Sequence, residues 1–200
     1  EHWIEPVEVW SNFRAGFKCK PSWRSNGLKN GWLWARGSHN GFARINARHY
    51  RWLGSKNILN GNGLILIIID AISITQEHKW RMIEHLGPEI SGNLNEVELE
   101  INLYSFNLKN NKRIIKTYVS NGFGKRIQRN TIIHEGHIKK GKYFFIKLIK
   151  PKELMPKNNP YQSQDKEYIY GNFDFGEHGN INWQWKLSRD ITINPHIKVN

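Results

Sequence analysis

The residues richest in chemistry lie at positions 32–52, W-L-W-A-R-G-S-H-N-G-F-A-R-I-N-A-R-H-Y-R-W. Arg36, Arg44, Arg48 and Arg51 stand there with His39, His49 and Tyr50, beside Trp32, Trp34 and Trp52. A guanidinium grips a carboxylate or sulfate through two parallel N–H bonds. Indole and phenol faces stack on sugar rings or bases. Together they suit a surface for an acidic glycan. They equally suit a strand–turn–strand with solvated arginines on one face and tryptophans in the core.

Other clusters say less. His78, Glu84 and His85 lack the His-Glu-x-x-His spacing of a zinc protease, and satisfied structural histidines explain them. His134 and His137 flank Glu135-Gly136 in what reads as a tight polar turn, a weak metal pattern. No metal site is assigned from the residues. Gly61-Asn62-Gly63 precedes an apolar strand instead of following one, the wrong context for a dinucleotide loop. Glu96, Glu98 and Glu100 read as one solvent-facing strand edge. The single cysteine, Cys19, excludes an intrachain disulfide and a cysteine zinc cage.

The 200 residues carry 30 Lys plus Arg against 17 Asp plus Glu, a formal net charge of +13. Such a surplus points to an anionic partner: nucleic acid, an anionic membrane or an acidic polysaccharide. The apolar run at 64–69 is far short of the roughly 20 residues of a membrane helix, so no membrane partner is expected. Positions 1–6 have neither a basic n-region nor an apolar h-region, so no signal peptide is expected in this chain. Nucleic acid is disfavoured, because no RNP1 pattern, helix-turn-helix or zinc finger occurs and the basic residues are spread along the chain. A basic nucleic-acid-binding β-barrel stays as an alternative, since that fold has no sharp signature.

The elements that must position these residues read as β. Residues 64–69 form an aliphatic strand expected to be buried on both faces and bounded by Asp70. Residues 97–104 alternate as a half-buried strand. Further strands are expected at 114–119, 143–149, 182–187 and 190–193. The window 78–86 fits a helix or a strand. Turn signals fall at Asn26-Gly27, Asn30-Gly31, Asn40-Gly41, 121–124 and Lys140-Gly141. Proline and polar residues at 150–167 read as a loop or linker before the last strands. Many short strands with such turns predict one all-β domain over 1–200, an antiparallel sandwich or barrel.

Four pieces in order carry a family resemblance: E-V-W-S-N-F-R (8–14), S-H-N-G-F-A-R-I (38–45), R-H-Y-R-W-L (48–53), and L-I-L-I-I-I-D-A-I (64–72) followed by E-H-L-G-P-E-I (84–90). Residues 7–90 thereby resemble the C-terminal β-sandwich region of the heparinase II/III-like polysaccharide lyases. The resemblance implies an antiparallel β-sandwich of that type and β-elimination on uronic-acid polysaccharides, glycosaminoglycans among them. It implies a periplasmic or extracellular setting. In that family an α/α toroid precedes the sandwich and supplies most catalytic residues. A divalent metal, where present, is held by residues upstream of the first piece. The chain is therefore expected to be part of a carbon–oxygen lyase, inactive alone, with glycan binding and scaffolding as its share. No catalytic residue is carried over, and no cofactor is assigned. His39, Arg44, Arg48, His49, Tyr50 and Arg51 are the candidate substrate-binding residues; they line a glycan cleft or brace the sandwich. A stand-alone, non-catalytic carbohydrate-binding module is the second alternative.

Overall fold

The β-branched and aromatic runs form antiparallel strands throughout the computed structural model, which describes residues 7–11, 14–18, 21–58, 63–86, 99–106, 108, 111–120, 124–152, 154, 156–157, 159–188, 190 and 193–200. The largest sheet has six strands. They run in the spatial order β3 (Pro21–Lys29), β4 (Trp32–His39), β5 (Ala47–Ile58), β6 (Gly63–Ile74), β11 (Gly141–Pro151) and β8 (Leu99–Ser105). A second sheet orders β12 (Tyr161–Gln164), β13 (Tyr168–Asp174), β14 (Asn180–Lys186) and β15 (His196–Val199). A third has β7 (His78–His85), β10 (Ile127–Ile138) and β9 (Asn111–Val119), and β1 (Val7–Ser11) pairs with β2 (Arg14–Lys18). Only two short 3₁₀ turns, Ala43–Ile45 and Gly176–His178, interrupt the strands described. No helix among the described residues is long and apolar enough to cross a membrane.

The six- and four-stranded sheets close on one core, as two half-apolar sheet faces must. Trp52, Ile67 and Phe144 from the first meet Phe173, Trp183 and Trp185 from the second, all essentially without solvent contact. Aromatic side chains of this size dominate core energetics. On the other face of the six-stranded sheet, Phe145 packs on Trp80 of β7, with ring centroids 4.8 Å apart, and joins Ala47, Ile74 and Ile138 in a second core. Lys147 Nζ, 2.8 Å from Glu84 Oε1, ties β11 to β7 beside it.

The expected all-β sandwich is the one observed. Its details depart from the sequence in physical ways. Ile65, Ile67 and Ile69 enter the core, but Leu64 is exposed, so the run at 64–69 is fully buried on one face only. That strand continues past Asp70 to Ile74, because the carboxylate finds partners inside the sheet. Asn30-Gly31 makes the β3–β4 turn with both φ angles positive, 52° and 77°, the hairpin geometry that Asn-Gly favours. Asn26-Gly27 is no turn and lies within β3. There a Cβ on Gly27 would stand 2.9 Å from the Trp34 indole, so glycine makes room for a ring. Residues 78–85 are strand. His134 and His137 both lie within β10, one buried and one exposed, not in a turn. The expected linker at 150–167 contains β12. Asp190 and Ile193 lie outside strands, and the last strand is β15. Residues 97, 98 and 191–192, which fall in expected strands, and Glu96 lie outside the described residues.

Candidate functional site

Strand alternation sorts the six candidate residues. In β5, His49 and Arg51 face one side of the sheet, while Arg48 and Tyr50 face the core. Pairing places His39 of β4 opposite His49 and Arg51 opposite Asp70 of β6. The backbone of Arg44 lies in the 3₁₀ turn Ala43–Ile45 that joins β4 to β5. His39, His49 and Arg51 therefore come together, and Arg48 and Tyr50 form a separate group.

The first group is a chain of hydrogen bonds. The Gly41 backbone N–H donates to His39 Nδ1 at 3.1 Å. His39 Nε2 lies 3.2 Å from His49 Nδ1. His49 Nε2 lies 2.7 Å from Asp70 Oδ1. Arg51 donates from Nε to Asp70 Oδ1 at 2.6 Å and from an Nη to Oδ2 at 2.9 Å. Donor accounting fixes the protons. A backbone N–H can only donate, so His39 Nδ1 is bare and its proton is on Nε2. That proton requires His49 Nδ1 to accept, which leaves the His49 proton on Nε2, aimed at Asp70. All four ring nitrogens are thus engaged.

Electrostatics agree with this polarity. Burial alone would push the Asp70 carboxyl up, but the hydrogen bonds from His49 and Arg51 outweigh it and hold the pKa at about 2. Burial lowers the pKa of His39, and the neighbouring His49 and Arg51 add to the effect. The Arg51 guanidinium is raised by its bond to Asp70 against the opposing effect of burial. The His39 contribution to stability is therefore complete above about pH 6.5 and drains away as pH falls through its lowered value. Nitrogen-15 spectra of the imidazoles should show protonated Nε2 and bare Nδ1 on both His39 and His49 near pH 7. A protonated Nδ1 on His49 would contradict the chain of donors.

The second group faces the core. Tyr50 stacks edge-on between Trp23 and Trp185, with centroids 5.6 and 5.4 Å away. Burial pushes its phenol up to about 12, against the lowering effect of Arg48. Arg48 donates to Ser22 Oγ at 3.0 Å and lies 5.7 Å from the Tyr50 ring. Trp23 has φ 51°, in a register shift between Ser22 and Ser25. This bulge turns the ring onto Tyr50 and under the Arg36 guanidinium, 4.9 Å from its centroid.

Asp70 is the residue that sequence reasoning undervalued. Its signal was present: a carboxylate flanked on both sides by apolar residues of one strand must be paired inside. Among the described residues no three His, Cys, Asp or Glu side chains form a group able to hold a metal. The Asp70 cluster illustrates why, since Arg51 occupies both carboxylate oxygens and the imidazoles bond to one another.

No protein-family model matches the sequence. No curated protein matches it either. Solved structures do. A heparinase III superposes with a TM-score of 0.56 at 12% identity, covering 85% of this chain. The chain has the fold of a heparinase III segment. A second structure, the heparan sulfate lyase HepC from Pedobacter heparinus, superposes with a TM-score of 0.52 at 11% identity over 86% of this chain. The chain spans 27% of that heparinase III and 28% of HepC. The heparinase-like fold thus covers most of this chain and about a quarter of either enzyme.

Proposed function

We propose that the chain is a glycan-contacting β-sandwich domain of a heparinase-type polysaccharide lyase, whose reacting groups lie mainly on another part of the protein such as an α/α toroid. The observation that carries this reading is the fold likeness to heparinase III and HepC over more than four-fifths of the chain. β-Elimination on a uronide requires a neutralised carboxylate, a base at C5 and an acid at the leaving oxygen. Arg51 suits the first task. Asp70 holds its Nε and one Nη, and 55% of its side chain remains exposed, which leaves the other Nη for an outside anion. The other candidates are poorly poised for proton transfer. The Tyr50 phenol keeps its proton to about pH 12, and both His39 nitrogens are occupied. His39 and His49 brace Asp70, which in turn aims Arg51.

The same face offers apolar side chains to a partner domain. Leu28 and Leu33 are cross-strand neighbours, Leu53 and Leu64 share their side of the sheet, and all four are exposed. Exposed leucines on the face that carries Arg51 suit the docking of a further part of the protein.

The test is affinity for heparan sulfate, neutral dextran and duplex DNA over a salt series. Selective, saturable binding to heparan sulfate is expected, weakened about tenfold by Arg51→Ala, the loss of one charge-assisted contact. Near-ultraviolet circular dichroism of the variant checks its packing. DNA bound as tightly, and with the same dependence on log salt, would overturn the reading in favour of a nucleic-acid barrel.

A further inference from the structure

A second concave surface lies on the far side of the sandwich. The inward residues of the four-stranded sheet, among them Ile181, Trp183 and Trp185, fill the core, so the alternate residues face out. Cross-strand pairing assembles these into two adjacent rungs. Tyr170, Gln184 and His196 form one, and Asn172, Asn182 and Lys198 form the next. Tyr161 of β12 stands beside Asn172. They line a groove of about 460 Å³, within the ordinary size of a small-ligand site.

Its chemistry is graded from one edge to the other. The β12–β13 edge presents two tyrosine rings, with Tyr161 55% and Tyr170 38% exposed. Side-chain amides occupy the middle, and the Lys198 ammonium, beside the His196 imidazole, the β15 edge. No acidic residue lines the groove. Burial, Lys198 and Arg36 together lower the pKa of His196, so the positive charge of this edge is that of Lys198.

We propose that this face binds a short segment of acidic oligosaccharide. Sugar rings stack on Tyr161 and Tyr170, ring hydroxyls bond to Asn172, Asn182 and Gln184, and a carboxylate or sulfate sits at Lys198 beside His196. Exposed aromatic rings flanked by amides fit the two sides of a pyranose, one apolar and one polar. The cationic edge, without an opposing carboxylate, selects the charged polymer. The proposal rests on the reading of the chain as an acidic-glycan protein for its choice of polymer. It goes beyond that reading by assigning a second contact, separated from Arg51 by the full thickness of the sandwich. Two sites on one body give a long polymer higher avidity than either site alone.

The experiment is titration of the full chain with a heparan sulfate tetrasaccharide, followed by calorimetry and by amide chemical-shift mapping. The variants are Tyr170→Ala, Lys198→Ala and Arg51→Ala. All three side chains reach solvent, and circular dichroism confirms folding. Tyr170→Ala and Lys198→Ala should each weaken binding about tenfold at this site, moving the midpoint of the shifts on β13–β15 to about tenfold higher ligand, while Arg51→Ala leaves that midpoint in place. If the tetrasaccharide binds but both variants match the parent, the platform is refuted and the proposed function stands. If no acidic oligosaccharide binds the parent chain, both fall. Tighter binding of single-stranded DNA to the same strands, or equal binding of a neutral tetrasaccharide indifferent to Lys198→Ala, would also overturn the assignment.

Discussion

Asp70→Ala is expected to lower the free energy of unfolding by about 3 kcal/mol, the range for removing one partner of a buried charge pair. Only 4% of the Asp70 side chain is exposed, and it takes hydrogen bonds from His49 and Arg51 together. Its loss leaves the His49 Nε2–H without an acceptor and the guanidinium without a counter-charge. Arg51 can turn to water, which keeps the cost toward the lower end of that range. The pH dependence gives the sharper signature. The folded carboxyl has a pKa of about 2, below the ordinary aspartate value of about 3.9. A depressed carboxylate contributes stability that is complete above the unfolded value and is lost as pH falls through the folded one. The difference corresponds to on the order of 2 kcal/mol. Parent and variant should therefore differ most above about pH 4 and converge near pH 2. Chemical denaturation at several pH values measures this, and a constant gap down to pH 2 would show that Asp70 acts through shape rather than charge.

Gly54→Ala is expected to cost about 2–3 kcal/mol through overpacking of the core. Gly54 lies on the core-facing side of β5 with Trp52, whose ring is 1% exposed. A Cβ at position 54 would fall 2.5 Å from Cζ3 and 3.0 Å from Cζ2 of that ring. Trp52 is held in the close-packed core, so the indole has little room to swing aside. The clash is with the six-membered part of the indole, which a shorter phenyl ring does not reach in the same way. In a Trp52→Phe background the cost of Gly54→Ala should therefore fall by at least half. A double-mutant cycle reads this coupling directly. Additive losses would mean that the two positions do not share that space.

The fold was legible where strands announce themselves through β-branched and aromatic runs. β6, β9, β11 and β14 lie where the side chains predict them. β12 was hidden because Tyr161-Gln-Ser-Gln has little strand propensity and stands beside Pro160; its pairing with β13 places it. Asn26-Gly27 misled because the same dipeptide serves as a turn in one setting and as space for a ring in another.

The site was legible only in part. His39, His49 and Arg51 stand at matching register positions, so a hairpin brings them together. Arg48 and Tyr50 are their sequence neighbours but point to the other side of the sheet, which a cluster read along the chain ignores. The groove on β12–β15 escaped because its residues are scattered from 161 to 198 and converge only through the register of four strands.

The most direct test of the proposed function is a titration of the chain with heparan sulfate in which tryptophan fluorescence and the absorbance of unsaturated uronate are followed in the same cuvette. The nine tryptophans make binding visible without a label. The expected result is a saturating fluorescence change with flat absorbance, showing a domain that holds the glycan while the reaction is carried elsewhere. A rise in absorbance would place a working active site within these 200 residues, and no fluorescence change at saturating polymer would remove the glycan from the chain's function.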